Sequence, residues 1–497
     1  MQPVQLPGEL TLEEFYATSV AAREVRLAPG TSEALEEGRA FLSRRLNAGV
    51  RIYGVNTGFG PLVGRSVDSE SVLELQENLL QQLSCNVGPL MPPAVSRGSL
   101  LLRAAAIARG RSGASPALLK ALVAMIATGA TPAIRAYGSV GASGDLVPLT
   151  AMARALRGEG ELRLPNGEVQ KNTPRLLRNL GLEPVTLGPK EGLALVNGTS
   201  FSLSIVALSL KSALTMVRER ILPLSATLLA LFGDSIQHLS DRLYGEKRHG
   251  SARETARRLR EWLRAEAPEE SHGVPQPPYS ARSLSLWLGV VEEHLEQARR
   301  VVEVEMNSVD DNPLVFGEEQ RILHGANFQG VYAAKAADDL TAALAKAGDL
   351  VERQINRLFH EKLNGDLPPF LAPEPVGLHS GLQGFQLLAT SLLSDIKAKS
   401  VMHGAGSIPT NGDNQDVVSM SANAALNALE VTRKSGYLVA ILECSVARAL
   451  QLRSVELSGE LHRWWEERSE LARFDYAGSP LDRILEERKA LLTPWDR

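Results

Sequence analysis

Apolar residues recur along most of the chain at spacings of three and four, which is the period of an amphipathic helix. The clearest example is the segment 284–307, where one apolar stripe runs between glutamates and arginines. The pattern therefore predicts a single long helix over this segment. The stripe consists of Leu288, Val291, Leu295, Ala298 and Val302.

A half-buried strand shows alternating apolar and polar residues. The other long stretches of the chain show no such alternation. We therefore predict a mainly α fold, a bundle of long helices interrupted by segments rich in Gly and Pro. We expect an irregular, Gly-rich N-terminal part over 1–200 and the long-helix bundle over 201–497. The predicted helices occupy roughly 98–110, 115–129, 202–232, 328–359, 379–402 and 418–452, and the interruptions occupy 54–64, 129–148, 272–280, 364–377 and 404–412.

Composition narrows the class of protein. The chain has 497 residues, 44% of them hydrophobic, and a formal net charge of -4. This is enough apolar material for a large core, and no basic excess indicates a nucleic-acid partner. Two cysteines are too few for a disulfide framework. The start has no secretory signal, and the longest apolar run, 121–133, is too short to cross a membrane. We expect a cytoplasmic protein without a membrane or nucleic-acid partner.

The common cofactor motifs are incomplete. His360-Glu361 begins like a zinc-protease motif, but Asn364 stands where the second histidine belongs. Val63 stands where a dinucleotide-binding loop beginning at Gly58 would have its third glycine. No pair of histidines has metal-ligand spacing with a third ligand nearby. We therefore predict neither a metal nor a nucleotide cofactor.

One segment between apolar helices has an unusual composition. It begins Gly-Ser-Val-Gly-Ala-Ser-Gly at Gly138, with three glycines and two serines in seven residues, and runs to Thr150. One interpretation is a tight loop in which Ser143 or Asp145 caps a helix. The full run, however, resembles the signature of the aromatic amino acid ammonia-lyase and aminomutase family, which includes histidine, phenylalanine and tyrosine ammonia-lyases.

The resemblance implies that Ala142-Ser143-Gly144 cyclises with the loss of two waters and forms 4-methylidene-imidazol-5-one, an electrophile that needs no added cofactor. The residue types suit this chemistry. Gly144 has no side chain to hinder its nitrogen and tolerates unusual backbone geometry. Ser143 has a hydroxyl that can leave, and Ala142 is small enough for the bend.

Further segments extend the resemblance from about residue 50 to residue 420. Their order and spacing make a chance match negligible, so the chain is identified as a member of this family. The segments are 51–60, 192–199, 276–282, 307–313, 324–328 and 410–420.

The resemblance also implies roles for individual residues. Tyr53 would be the general base, which requires a positive local field because a phenol has a pKa of about 10. Arg282 would bind the substrate carboxylate with its planar fork. The other implied roles are polar contacts to substrate for Asn197, Gln276 and Asn312, help in prosthetic-group formation or proton handling for Tyr279, and packing beside the ring for Phe328.

Substrate choice depends on two places in the sequence. Gln82-Leu83 falls at the family's selectivity pair and matches none of its common forms; Leu83 favours a carbocyclic ring, and Gln82 could bond a ring hydroxyl. Gln415 stands where histidine-specific members carry Glu. We therefore expect an ammonia-lyase acting on tyrosine or phenylalanine, with a 2,3-aminomutase, a histidine ammonia-lyase or a silent scaffold as alternatives. Family members are tetramers with shared active sites, so a homotetramer is expected.

Overall fold

Long helices form the centre of the protein. The computed structural model describes residues 2–267 and 276–496, and its fold is mainly α. The α-helices, in chain order, are α1 (Leu12–Ala21), α2 (Thr31–Asn47), α3 (Val72–Gln82), α4 (Pro93–Ala108), α5 (Pro116–Ala127), α6 (Leu146–Leu156), α7 (Pro174–Asn179), α8 (Glu191–Val196), α9 (Ser200–Met216), α10 (Leu222–Phe232), α11 (Asp241–Lys247), α12 (Gly250–Leu263), α13 (Tyr279–Arg282), α14 (Leu284–Met306), α15 (Val331–Phe359), α16 (Gln383–Ala398), α17 (Ser421–Leu452), α18 (Gly459–Glu466), α19 (Ser469–Arg473) and α20 (Leu481–Leu492).

The predicted long helices are confirmed, with ends displaced by a few residues. Helix α14 buries the whole apolar stripe recognised in the sequence. The predicted helix 202–232 is divided into α9 and α10 by a five-residue π-turn at Val217–Ile221. Of the Gly- and Pro-rich segment 272–280, residues 272–275 lie outside the described residues.

Helices α9, α14, α15 and α17 pack against one another and carry most of the core. Helix α17 has 32 residues and is therefore about 48 Å long. One hydrophobic cluster extends from Val4 to Trp495. Helix α9 begins at Ser200, and a division of the chain into 1–200 and 201–497 stays a prediction.

Short strands lie in the connections between helices. They contain too few residues to show a period of two in the sequence. The strands are β1 (Val4–Leu6), β2 (Val25–Leu27), β3 (Val87–Leu90), β4 (Thr131–Pro132), β5 (Arg135–Tyr137), β6 (Glu161–Arg163), β7 (Val169–Lys171), β8 (Leu314–Phe316) and β9 (Arg321–Leu323). The pair β1–β2 is parallel, whereas β3–β5, β4–β6, β6–β7 and β8–β9 are antiparallel. The β8–β9 hairpin joins Asn312 to His324.

One helical stretch, Glu191–Phe232, is long and apolar enough to cross a membrane by length and composition alone. Its most apolar window is entirely buried inside the protein. The stretch includes α9, which packs against α4, α14 and α17, so its apolar surface is used in the core.

Candidate active site

The Gly-rich segment forms a compact loop between β5 and α6. A backbone bridge pairs Ala142 with Gly144, so the loop doubles back across Ser143. Gly144 has φ +67°, a conformation that favours glycine. Ala142 is buried against Val418 and Met420, just before α17. The sequence therefore brings the ends of the tripeptide together and packs one of them against a distant segment.

Two of the predicted site residues bond directly to Ser143. The side-chain amide of Gln415 donates to the Ser143 hydroxyl at 2.5 Å. The side-chain amide of Asn197 donates to the Ser143 carbonyl oxygen at 2.9 Å. The other amide atom of Asn197, Oδ1, is buried and has no hydrogen-bond partner among the described residues. An unpaired buried acceptor beside the tripeptide is suited to a ligand group that can donate a hydrogen bond.

Asp145 does not cap α6, the helix that it precedes, through its side chain, contrary to the interpretation of the loop as a simple capped turn. It precedes α6 but makes no side-chain capping bond. Its carboxylate instead accepts hydrogen bonds from the Ser139 hydroxyl and from the backbone and hydroxyl of Ser202, each at 2.8 Å. Burial raises the pKa of Asp145 to about 6, although these hydrogen bonds oppose the shift. The group thus fastens the tripeptide loop to α9.

A buried ion pair that the sequence analysis did not single out lies behind the tripeptide. Arg103 of α4 pairs with Asp310, and the arginine side chain is fully buried. Arg103 also donates to the Asn197 carbonyl oxygen at 2.9 Å. The sequence contains one signal that could have indicated this pair, an arginine inside the apolar run Leu-Leu-Leu-Arg-Ala-Ala-Ala. A charge buried in such a helix needs a partner.

Tyr53 lies in a second group of predicted residues, around the β8–β9 hairpin. Its hydroxyl accepts a hydrogen bond from the Gly60 backbone at 2.9 Å, and its own backbone N–H donates to His324 Nε2 at 3.2 Å. Burial lowers the pKa of His324, which favours the neutral ring that can accept this bond. The Asn312 side-chain oxygen accepts from the Gly325 backbone at 2.7 Å.

A buried glutamine connects the Tyr53 loop to the helix that leads to Asn197. Gln76 of α3 donates to the Gly54 carbonyl oxygen at 2.9 Å and accepts from the Leu193 backbone at 3.1 Å. Gln82 is the last residue of α3 and is exposed, and Leu83 follows it, half-buried against the core. Phe328 is half-buried in the turn before α15.

Arg282, Tyr279 and Gln276 lie apart from the Ser143 contacts. The Arg282 guanidinium stacks 4.7 Å from the centre of the Tyr279 ring, as their shared place on α13 predicts. Tyr279 is 72% exposed in the single chain. Arg282 and Gln276 line a cavity of about 960 Å³ that includes His238 and Lys247 and none of the residues bonded to Ser143. Within the described chain, Arg282 Nε is buried without a hydrogen-bond partner.

The cavity around Arg282 is lined by three basic side chains, Arg242, Lys247 and Arg282, and by no Asp or Glu among the described residues that line it. Burial lowers the pKa of His238, and the nearby charge of Arg282 lowers it further. The planar guanidinium of Arg282 offers paired N–H donors that suit a carboxylate. Among residues 2–267 and 276–496, no group of three His, Cys, Asp or Glu side chains could hold a metal ion.

Comparison with known proteins adds an independent result. A family model described as aromatic amino acid lyase matches residues 10–469. The chain is 37% identical over 452 residues to the probable histidine ammonia-lyase of Thermoplasma volcanium, covering 90% of each chain. It is 38% identical over 412 residues to tyrosine 2,3-aminomutase of Chondromyces crocatus, covering 79% of this chain and 77% of that protein.

Solved structures agree with the sequence comparisons. The crystal structure of tyrosine aminomutase from Streptomyces globisporus is similar with a TM-score of 0.92 and 32% identity. The match covers 99% of this chain and 97% of that one. The names of these relatives differ in substrate and in reaction, so the similarity is to a family and not to a single activity.

Proposed function

This chain belongs to the aromatic amino acid lyase family, and from this premise we propose that it eliminates ammonia from an aromatic L-amino acid of the tyrosine or phenylalanine type. The product would be an arylacrylate such as coumarate or cinnamate. The observation that carries the proposal is the folded-back tripeptide, in which Ala142 is paired with Gly144 and the Ser143 hydroxyl is held by Gln415.

The residues present fit the prosthetic group 4-methylidene-imidazol-5-one, made from Ala142-Ser143-Gly144. Gly144 has the positive φ of a tight turn, and the bridge brings the two ends of the future ring together. Asn197 Oδ1, which has no partner in the described part of the chain, provides an acceptor beside it. Once formed, the group supplies an electrophile for the substrate amine, which makes the nitrogen easier to expel.

Tyr53 would remove the β-proton of the substrate through its phenolic oxygen. The Gly60 backbone N–H donates a hydrogen bond to that oxygen at 2.9 Å and fixes its position. The neutral His324 fixes the Tyr53 backbone from the other side. These two contacts hold the phenolic oxygen and the backbone of Tyr53 in one orientation.

Arg282, Gln276 and Tyr279 would act in the site of a neighbouring subunit of a homotetramer. The described lining of the Arg282 cavity shares no residue with the Ser143 contacts. An arginine whose buried Nε has no partner among residues 2–267 and 276–496 is suited to a carboxylate that arrives from outside the chain. Apolar side chains exposed on α14 and α15 support the assembly, because such surfaces are usually covered. They include Leu286, Trp287, Val290, Val331 and Tyr332.

The substrate side chain would be read by Gln82, Leu83 and Gln415. Leu83 suits a carbocyclic ring, and Gln82 can bond a ring hydroxyl. Gln415 is neutral, so it provides no negative charge to pair with an imidazolium. Tyrosine is therefore placed slightly ahead of phenylalanine, with histidine behind both. Asn312 and Phe328 would complete the polar and apolar contacts to the substrate, and a cytoplasmic location is part of the same proposal.

A second candidate is an aromatic 2,3-aminomutase, which returns the ammonia to the β-carbon. It is favoured by the similarity to proteins named tyrosine 2,3-aminomutase and by the match to the tyrosine aminomutase structure. The two reactions use the same base and electrophile, and they differ in whether the product is retained behind a closed loop.

The deciding experiment is incubation of the purified protein with Tyr, Phe, Dopa and His, followed by product analysis. Free ammonia with an arylacrylate supports the lyase, and a β-amino acid supports the aminomutase. Urocanate from histidine would overturn the substrate argument. An unmodified Ser143 in the tryptic peptide 136–154 would overturn the proposed chemistry as a whole.

A further inference from the structure

The turn Asn197-Gly198-Thr199 presses directly against Gly144. A Cβ atom added to Gly144 would lie 2.3 Å from the backbone nitrogen and 2.3 Å from the carbonyl oxygen of Gly198, so the two backbones touch. The turn also bonds both sides of Gly144: Asn197 donates to the Ser143 carbonyl oxygen at 2.9 Å, and the Asp145 backbone donates to the Gly198 carbonyl oxygen at 2.7 Å. The position of the turn therefore determines the position of Gly144.

The Arg103–Asp310 ion pair holds this turn from behind. Arg103 donates to the Asn197 carbonyl oxygen at 2.9 Å, and Asp310 accepts from the Thr199 backbone at 2.7 Å and from its hydroxyl at 3.1 Å. A Cβ atom on Gly198 would lie 1.8 Å from Arg103 Nη1 and 2.6 Å from Asp310 Oδ2. The turn is thus enclosed between the ion pair on one side and Gly144 on the other.

Stability alone is a weak explanation for this pair. Desolvating two charges offsets much of their attraction, and apolar residues of similar volume often serve as well. Here, however, both charged groups also form hydrogen bonds to one turn: Arg103 donates to the Asn197 carbonyl oxygen, and Asp310 accepts from the Thr199 backbone and hydroxyl. That arrangement gives the turn fixed partners that an apolar pair would not provide.

We propose that Arg103 and Asp310 are positioning residues for maturation of the tripeptide, keeping the Gly144 nitrogen close to the Ala142 carbonyl carbon; this rests on the proposed function. In ring closure the Gly144 nitrogen bonds that carbon. Its carbonyl oxygen leaves as water, taking the protons of the Gly144 and Ser143 nitrogens, and a carbon–nitrogen double bond remains. The Ser143 Cα proton and hydroxyl then leave as a second water and form the exocyclic methylene. No oxidant is required.

The chain offers a matched control in the next residue. Asp311 pairs with Lys190 at 2.6 Å, and both side chains are fully buried. Asp311 also accepts from the Asn312 backbone at 2.7 Å, and among the described residues neither member of this pair is recorded bonding to the turn 197–199. Removing either aspartate charge leaves a buried cation without its partner, so Asp310→Asn and Asp311→Asn should disturb folding to a similar degree.

The test follows maturation without using turnover. Full-length chain is made by pulsed cell-free synthesis, and samples are taken over time. Mass spectrometry of the peptide 136–154 then measures the loss of two waters. We expect Asp310→Asn to mature at least about tenfold more slowly than wild type, because a bond to a charged group is lost from the turn. Asp311→Asn should mature at the wild-type rate. Thermal unfolding of each purified variant reports the structural damage.

A double variant, Arg103→Met with Asp310→Leu, removes the charges together and avoids a lone buried ion. If the pair were only structural, this variant would fold and mature normally. A folded double variant that keeps its two waters supports the positioning role, and one that loses them at the wild-type rate overturns it. Equal slowing in Asp310→Asn and Asp311→Asn would also overturn it. A wild-type chain that never loses the waters would instead contradict the proposed function.

Discussion

Gln415 donates its side-chain amide to the hydroxyl of Ser143, across 272 positions of sequence. The hydroxyl is the group that must leave if the tripeptide is to form its methylene. An N–H donor on that oxygen stabilises the negative charge that develops as the carbon–oxygen bond lengthens. If the tripeptide forms the proposed prosthetic group, we expect Gln415 to assist that step, in addition to its predicted place near the substrate.

Replacing Gln415 by Leu should delay the second dehydration. The donor to the Ser143 oxygen is lost, so we expect the peptide 136–154 to accumulate in a form lighter by one water, with completion slowed about tenfold. Intact-peptide mass spectrometry measures both forms. Gln329→Leu is the matched control, since Gln329 donates to the Val417 carbonyl oxygen at 3.0 Å in the same region. Normal maturation of Gln415→Leu would contradict the assignment.

Tyr53→Phe should separate turnover from maturation. The phenolic oxygen is the proposed base, and it is held by the Gly60 backbone and not by any atom of the tripeptide. We expect kcat to fall by about 10² to 10⁴, the usual contribution of a positioned base. The peptide 136–154 should still lose two waters at the wild-type rate. A Tyr53→Phe protein that retains most of its turnover would remove Tyr53 from the role of base.

The sequence predicted which residues lie around Ser143 better than it predicted their contacts, and the roles of these residues in catalysis stay predictions. The membership of Ser143, Asn197 and Gln415 was expected, and they do meet, but their hydrogen bonds depend on three segments brought together by helices α9 and α17. Asp145 does not cap α6, which follows it in the sequence, because its carboxylate binds the backbone and hydroxyl of Ser202 in the first turn of α9 instead. Arg103 lies outside every motif, and its contacts are visible only where α4 meets the 307–313 segment.

The fold was more predictable than its connections. Long helices such as α14 can be predicted because their apolar residues recur at spacings of three and four over as many as 23 residues. The strands contain two to four residues, too few for a period of two to be distinguished. Short helices such as α13 are equally hard to predict from the sequence. A single helical turn is not stable alone, so it forms only with tertiary contacts.

Asp145 should make stability depend on pH in a recognisable range. Burial raises its pKa to about 6 in the folded protein, whereas an unfolded Asp titrates near about 4. The folded state therefore holds the proton more tightly. The resulting stabilisation is complete below about pH 4 and is lost as the pH rises through about 6.

Asp145→Asn should remove this dependence, because an amide cannot ionise and can still accept from the Ser202 backbone. Relative to Asp145→Asn, the wild type should lose up to about 3 kcal/mol of unfolding free energy between about pH 4 and about pH 7. Urea unfolding of both proteins at matched pH values measures the difference. Parallel pH profiles would mean that Asp145 does not titrate in this range.

The separation of Tyr53 from the Arg282 cavity predicts that two inactive variants can rescue each other. Tyr53→Phe lacks the base, and Arg282→Met lacks the carboxylate partner. If each active site takes Arg282 from a different subunit than Tyr53, co-expression of the two variants creates some sites with both residues intact. Random assortment of equal amounts makes about a quarter of the sites complete. Activity should therefore return to about a quarter of the wild-type value, measured on co-purified, differently tagged chains.

Mixing the separately purified variants without subunit exchange is the control and should stay inactive. A co-expressed preparation that remains inactive while containing both tags would mean that Tyr53 and Arg282 serve the same site from one chain, or that Arg282 serves none.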